Sequence, residues 1–352
     1  MADPAALVRS DLSGPGIRRR RHGRGFRYLW PDGTPVRDAE ALARIQALVI
    51  PPAWEDVWIS GIADGHIQAV GTDAAGRRQY RYHDLWREQR DREKHDRVLA
   101  FGAALPKVRT VVLRHLDGRT LSRDRVLAAA IRLVDLGFFR PGGDEYAVEN
   151  GSYGLATIRR DHVTCRRNEL VFDYIGKSAK HREQAVADER VCAVVRGLKR
   201  RRDGGDGLLA YRSGPRWHDV TAADINDYLR EVAGDDFTAK DFRTWHATVL
   251  AAVGLAVSER ASGSESTRKR AVARVVREVA GYLGNTPAVA RASYIDPRVI
   301  SLYEHGTTIA PALGRLGQQS EFGELATQGA AEAAVLRLLG GSEPGGSQPG
   351  GS

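Results

Sequence analysis

Between Ile50 and His83 the apolar residues come in short runs of valine, isoleucine, tryptophan and tyrosine, broken by Pro51-Pro52, Asp64-Gly65 and Asp73-Ala74-Ala75-Gly76. Such runs, bounded by turn residues, predict strands and hairpins. The last of them alternates, with Gln79, Arg81 and His83 on one face and Arg78, Tyr80 and Tyr82 on the other. From Leu85 to Lys94 most positions are charged, which reads as a helical segment leaving a small β-rich domain, with the boundary near residue 92. Helical spacing follows at 95–116 and 123–137, the second with Val126, Leu127, Ala130, Ile131, Val134 and Leu136 along one face. Residues 153–177 read as three strands, Tyr153 to Ile158, His162 to Cys165 and Leu170 to Ile175, ending in Gly176-Lys177-Ser178. Helices are predicted at 186–201, from Thr221 with Asp224 as its capping partner, from Lys240 into the apolar stretch Val249 to Val257, and from Arg268 to Leu283. The polar loop from Ser258 to Thr267 is a natural hinge or flexible lid. Gly284 closes the last of these helices, Thr286 and Pro287 open another, and Tyr294 falls about two turns into it. One more helix is predicted over 295–303.

Composition narrows the partners. At 352 residues and 42% apolar, the chain can build two domains or one large domain with tails. No apolar run approaches the ~20 residues that span a bilayer, and Met-Ala-Asp-Pro lacks the order of a signal peptide, so a cytoplasmic protein is expected. Cys165 and Cys192 have neither the number nor the spacing of a disulfide framework or a zinc site. The 53 lysines and arginines exceed the 44 acids, giving +9 and a pI near 9.7. That balance favours a polyanion, nucleic acid ahead of an acidic membrane because no basic amphipathic anchor is visible. The run Arg18, Arg19, Arg20, Arg21 lies in a Gly-rich segment and is either a disordered solvated arm or a phosphate-gripping one.

Three positions carry candidate chemistry. Tyrosinate can attack phosphorus, but Tyr294 alone reads more readily as a packing residue, since tyrosine titrates near about pH 10. Arg140 follows Phe138-Phe139, and an arginine in such company needs an internal carboxylate or an external phosphate. Lys177, after a glycine in a hairpin, reads by itself as an exposed lysine.

Together, Arg140, Lys177, Lys240-Asp-Phe-Arg243-Thr and Leu283-Gly-Asn-Thr-Pro ending in Tyr294 resemble the type IB DNA topoisomerases, specifically the small bacterial and poxvirus-like branch. The resemblance runs from the arginine-rich segment and Ile50-Pro-Pro-Ala-Trp54 to about residue 303. It implies an α+β protein with a β-rich DNA-binding domain at 1–92, a mostly helical, recombinase-like catalytic domain with a three-stranded sheet at 93–318, and a largely disordered extension at 319–352. It further implies a monomeric clamp on duplex DNA, active on the bacterial chromosome without ATP or metal. By the resemblance Tyr294 is the nucleophile, Arg140 and Arg243 clamp the non-bridging oxygens, and Lys177 is the general acid, its proton loosened by nearby arginines. Asn285 stands where many relatives carry histidine, and an amide can donate a hydrogen bond but not act as an acid. Lys240 separates this family from the tyrosine recombinases, which carry histidine there and remain the alternative, beside a non-catalytic basic DNA-binding protein. Gln79, Tyr80 and Tyr82 resemble major-groove readers, with Arg77, Arg78, Tyr146 and Arg18 to Arg21 as further DNA contacts. Pro141 replaces the usual Val or Ile and bears on the aim of Arg140.

Overall fold

The arginine-rich run is a strand. Ile17–His22 (β1) pairs antiparallel with Gly25–Leu29 (β2), Arg18 opposite Leu29 and Arg21 opposite Phe26. Strand alternation turns Ile17 and Arg19 inward, while Arg18, Arg20 and Arg21 are exposed. The disordered alternative is thereby overturned, because the run is one strand of a hairpin with those arginines exposed. This computed structural model describes residues 7–137, 139–142, 151–202, 205–258, 264–314 and 328–341. Tyr146 and residues 342–352 lie outside the described residues.

The chain divides into two compact units, Met1–Asp96 and Arg97–Ser352, a little past the expected boundary. In the first, helix Ala39–Ala47 (α1), capped by Asp38, precedes Glu55–Ile59 (β3), Ile67–Thr72 (β4) and Arg78–Tyr82 (β5). The antiparallel sheet runs β2-β1-β3-β4-β5. Ile17, Ile45, Val57, Ile59 and Ala69 form its core with Tyr28, Trp30 and Trp54.

The predicted charged segment and the helix after it are one helix, Asp84–Leu116 (α2), and the division between units falls inside it. Arg123–Gly137 (α3) follows with twelve buried positions, Val126 through Gly137, which makes it the centre of the second unit. Residues Tyr153 to Ile158 are not a strand: Leu155–Thr157 is a 3-10 turn. The three-stranded sheet consists of Val163–Cys165 (β6), Leu170–Gly176 (β7) and Lys180–Val186 (β8), in that order. Strand β8 escaped the reading because Lys-His-Arg-Glu-Gln is polar at every position and mostly exposed, so it has no apolar alternation to detect.

Glu189–Arg200 (α4), the hairpin Ala210–Ser213 (β9) with Arg216–Asp219 (β10), and Ala222–Ala233 (α5), with its Thr221–Asp224 capping box, come next. Ala239–Ser258 (α6) is buried along most of its length, Glu265–Leu283 (α7) ends in Gly284, and Pro287–Ser293 (α8), Pro297–Glu304 (α9) and Ala310–Leu313 (α10) follow. The expected hinge from Ser258 to Thr267 lies partly outside the described residues, and α7 begins inside it.

Within the stretch expected to be largely disordered, Ala330–Gly340 is a helix (α11) burying Ala331, Ala334, Val335 and Leu339. Its anchor is Glu332, which accepts from Arg109 at 2.6 and 2.9 Å and from the Trp245 indole at 2.9 Å. Arg109 also forks onto Asp135 at 2.9 Å through both Nε and Nη2, and His246 adds a 3.1 Å bond to Asp135. Burial alone would raise the Asp135 carboxyl, but Arg109 and His246 hold it well below the usual range.

Candidate active site

The C-terminal end of α7 gathers the site. Gly284 adopts the left-handed conformation (φ 63°), so its N–H and that of Asn285 turn back onto the carbonyls of Gly281 and Ala280. The carbonyls of Tyr282 and Leu283 then remain for side chains. Arg140 donates to the Leu283 carbonyl at 3.3 Å and to Asn285 Oδ1 at 2.8 Å. Arg243 donates to the Leu283 carbonyl at 2.8 Å. Backbone atoms and one amide thus hold two guanidiniums side by side at the negative end of a helix dipole.

Arg140 is aimed by the segment after α3. Leu155 N–H donates to the Arg140 carbonyl at 2.8 Å and Ala156 N–H to the Pro141 carbonyl at 2.7 Å. Gly142 (φ 83°) passes so close to Gly154 that a Cβ on it would meet that backbone at 2.8 Å. Pro141 fits because the segment is laced through its carbonyl and needs no N–H from it.

Tyr294 does not sit inside α8. It is the residue that caps the helix C-terminus (φ −129°), not one two turns into the helix as expected. Thr248 on α6 fixes the turn after it, accepting from Asp296 N–H at 3.1 Å, while its hydroxyl hydrogen is shared between the Thr244 carbonyl at 2.9 Å and the Tyr294 carbonyl at 3.3 Å. The Arg243 guanidinium carbon lies 5.4 Å from the centre of the Tyr294 ring. Burial pushes the phenol up, yet the charge and hydrogen bond of Arg243, with Lys240 and Arg140, outweigh it and bring Tyr294 below the ordinary phenol range. Arg243 in turn is lowered to about 10, by burial first and by the charge of Arg140 next. Burial also lowers Arg140, and Arg182 adds to that.

Arg140, Arg243, Asn285, Lys240 and Tyr294 are therefore brought together. Lys240 is exposed on the first turn of α6. Lys177 stands apart, exposed at the turn between β7 and β8, with no hydrogen bond or ion pair among the described residues. Two residues at the site escaped the sequence reading. Arg182 lies on the unrecognised strand β8, and Thr248 is a threonine in an apolar helix, a pattern common enough to carry no signal.

In the first unit, Gln79 and Arg77 both bind Asp73, at 2.9 and 3.0 Å, and those hydrogen bonds with the Arg77 and Ala75 backbone bring its carboxyl to about 2. Gln79 thus shares neither face nor partner with Tyr80 and Tyr82, which stack at 6.0 Å beside exposed Arg78. Arg19 is also committed: it lies 4.1 Å over the Phe26 ring and donates to the carbonyls of Ile50, Pro51 and Trp54. Among the described residues no three His, Cys, Asp or Glu side chains form a group able to hold a metal, and no helix is long and apolar enough to cross a membrane.

A family model for the catalytic core of eukaryotic DNA topoisomerase I matches residues 83–306, and one for the N-terminal domain of bacterial DNA topoisomerase IB matches 25–73. DNA topoisomerase 1B of Acanthamoeba polyphaga mimivirus is 29% identical over 297 residues, 82% of this chain and 88% of that protein. DNA topoisomerase 1B of Vaccinia virus (strain Copenhagen) is 19% identical over 251 residues, 71% of this chain and 76% of that protein. Because the catalytic-core match takes in the arginines, the end of α7 and the tyrosine after α8, the chain belongs to the type IB DNA topoisomerases, isomerases of DNA topology.

Proposed function

We propose that the chain relaxes supercoiled duplex DNA by cleaving one strand through Tyr294 and resealing it. The phenolic oxygen attacks phosphorus, the bond to the 5′-oxygen breaks, and a 3′-phosphotyrosine and a 5′-hydroxyl result. The tyrosine gives up its proton to solvent as it attacks, which the surrounding cations favour. Lys177 supplies the proton that the departing 5′-oxygen needs. Arg140 and Arg243 take the two non-bridging oxygens, where negative charge grows in the transition state. Among the described residues Asn285 has its Oδ1 committed to Arg140 and its buried Nδ2 without a hydrogen-bond partner, so it contributes as a donor.

Resealing is the same path reversed, and because the phosphotyrosine conserves the bond energy the cycle asks for neither ATP nor metal. Arg18, Arg20, Arg21 and Arg78, with the Tyr80–Tyr82 pair, are the exposed groups of the first unit offered to DNA, by a monomer acting at the nucleoid in the cytoplasm. The observation that carries this reading is the convergence of Arg140, Arg243 and Tyr294 on one helix end. Purified protein incubated with supercoiled plasmid in EDTA, without ATP, should give a ladder of relaxed topoisomers. Unaltered plasmid topology would refute it.

A further inference from the structure

The end of α7 holds a third guanidinium. Arg182 on β8 donates to the Tyr282 carbonyl at 3.4 Å, one residue before the carbonyl shared by Arg140 and Arg243. We propose that Arg182 is a third phosphate-binding residue of the site, gripping the backbone of the cleaved strand beside Arg140 and Arg243. This rests on reading Tyr294 as the centre of a DNA-cleaving site.

The surroundings of Arg182 are built to present it. Tyr174 is its cross-strand partner on β7, is buried, and receives a hydrogen bond from it. Tyr174 in turn stacks on Phe139, the residue before Arg140, and lies near enough to Arg140 to act on its charge. Gly284 leaves room on the other side, since a Cβ there would lie 2.5 Å from Arg182 Nη1. These contacts fix the plane of the guanidinium but engage only part of its five N–H donors, and the side chain is half-exposed.

Charge points to the ligand. Among the described residues neither Arg140 nor Arg182 pairs with a carboxylate. The end of a helix carries roughly half an elementary negative charge, which does not neutralise the cations collected there. A residue serving only to prop up the helix end would not need a charge that repels Arg140. A phosphodiester backbone, with one anion per nucleotide, supplies what is missing.

The test is the salt dependence of binding to a duplex oligonucleotide, measured in the Tyr294→Phe background so that no cleavage intervenes. Arg182→Ala should lower the slope of log K against log salt by about 0.9, the amount for one phosphate contact. Arg182→Lys should restore the slope. With Tyr294 intact, Arg182→Ala should slow single-turnover cleavage by at least about tenfold, with Arg182→Lys recovering only part because an ammonium lacks the planar fork. If Arg182→Ala melts early, Arg182→Gln removes the charge while keeping a donor for the Tyr282 carbonyl, and the same loss of slope is expected. An unchanged slope in a folded variant lacking the charge would overturn the proposal. A lost slope in a protein whose parent fails to relax plasmid would instead sink the cleavage reading and leave the phosphate contact standing.

Discussion

Replacing Arg243 by methionine should make the DNA-free protein more stable while removing its chemistry. Arg243 is only 3% exposed, and its pKa falls from the ordinary guanidinium range to about 10. At about 1.36 kcal/mol per pKa unit, holding that charge in the fold costs roughly 3 kcal/mol. The sign follows from linkage: below pH 10 both folded and unfolded chains keep the proton, so the penalty is complete at neutral pH. From about pH 10 up to the ordinary guanidinium range the unfolded chain holds more protons and stability rises with pH. Methionine is unbranched, favours helix and fills irregular space. The Leu283 carbonyl would keep its bond from Arg140. Against the gain stand the bonds Arg243 makes to Leu283 and Tyr294, worth about 1 kcal/mol each. The net expectation is a gain on the order of 1 kcal/mol, or about 2–4 °C in melting temperature. Single-turnover cleavage in the same variant should slow by about 10²–10³. Thermal and urea unfolding without DNA, beside cleavage of a duplex oligonucleotide, check both halves. Melting several degrees below the parent would show that the site arginine is a net stabiliser, and cleavage within about tenfold of the parent would remove it from the clamp.

Tyr294→Phe should abolish covalent capture of DNA on denaturing gels while leaving noncovalent binding nearly unchanged; adducts surviving in that variant would exclude the residue as nucleophile. Because the cations around Tyr294 lower its pKa, cleavage by the parent should rise with pH below the ordinary phenol range, and Lys240→Ala should move that rise to more alkaline pH. A pH profile identical in the two proteins would contradict the field assigned to Lys240. Lys177→Ala should be rescued by a substrate with sulfur at the 5′-bridging position, a leaving atom that needs no proton, and equal impairment on oxygen and sulfur substrates would move the acid elsewhere. Glu332→Ala should cost about 3–5 kcal/mol in urea unfolding, because it strips Arg109 and the Trp245 indole of a buried acceptor, and a loss under about 1 kcal/mol would mean the neighbouring groups compensate.

The parts of the site set by local chain chemistry were legible. Gly284, Thr286 and Pro287 each act on their immediate neighbours, and the helix end, the cap and the new helix are where those residues place them. Tyr294 was placed one step wrong because α8 stops at Ser293, a short helix whose end no glycine or proline marks. The contact of Arg140 with Asn285 joins residues 145 positions apart, and nothing in either stretch specifies it. Strand β8 was hidden by its polarity and took Arg182 with it. Conversely, Tyr153 to Ile158 looked like a strand because its apolar residues are buried. Their side chains pack into the core, while Leu155 and Ala156 donate backbone bonds to the carbonyls of Arg140 and Pro141 rather than to a strand. Glu332 lies among alanines before a low-complexity tail, and only the three-dimensional meeting with Arg109 gives it meaning.

The arginines at the end of α7 are anchored on main-chain oxygens, atoms every amino acid supplies. Exposed Tyr282 can therefore vary in kind, and buried Leu283 among apolar residues, without erasing the anchors, which do not depend on which side chains stand there. The site does depend on length. One residue inserted into α7 advances its end by 1.5 Å and swings it through about 100°, carrying both carbonyls away from guanidiniums held on three other elements. Drift by substitution and drift by insertion should therefore leave opposite marks on this helix, free exchange at the exposed position of Tyr282 beside a fixed count of residues from the start of α7 to Gly284.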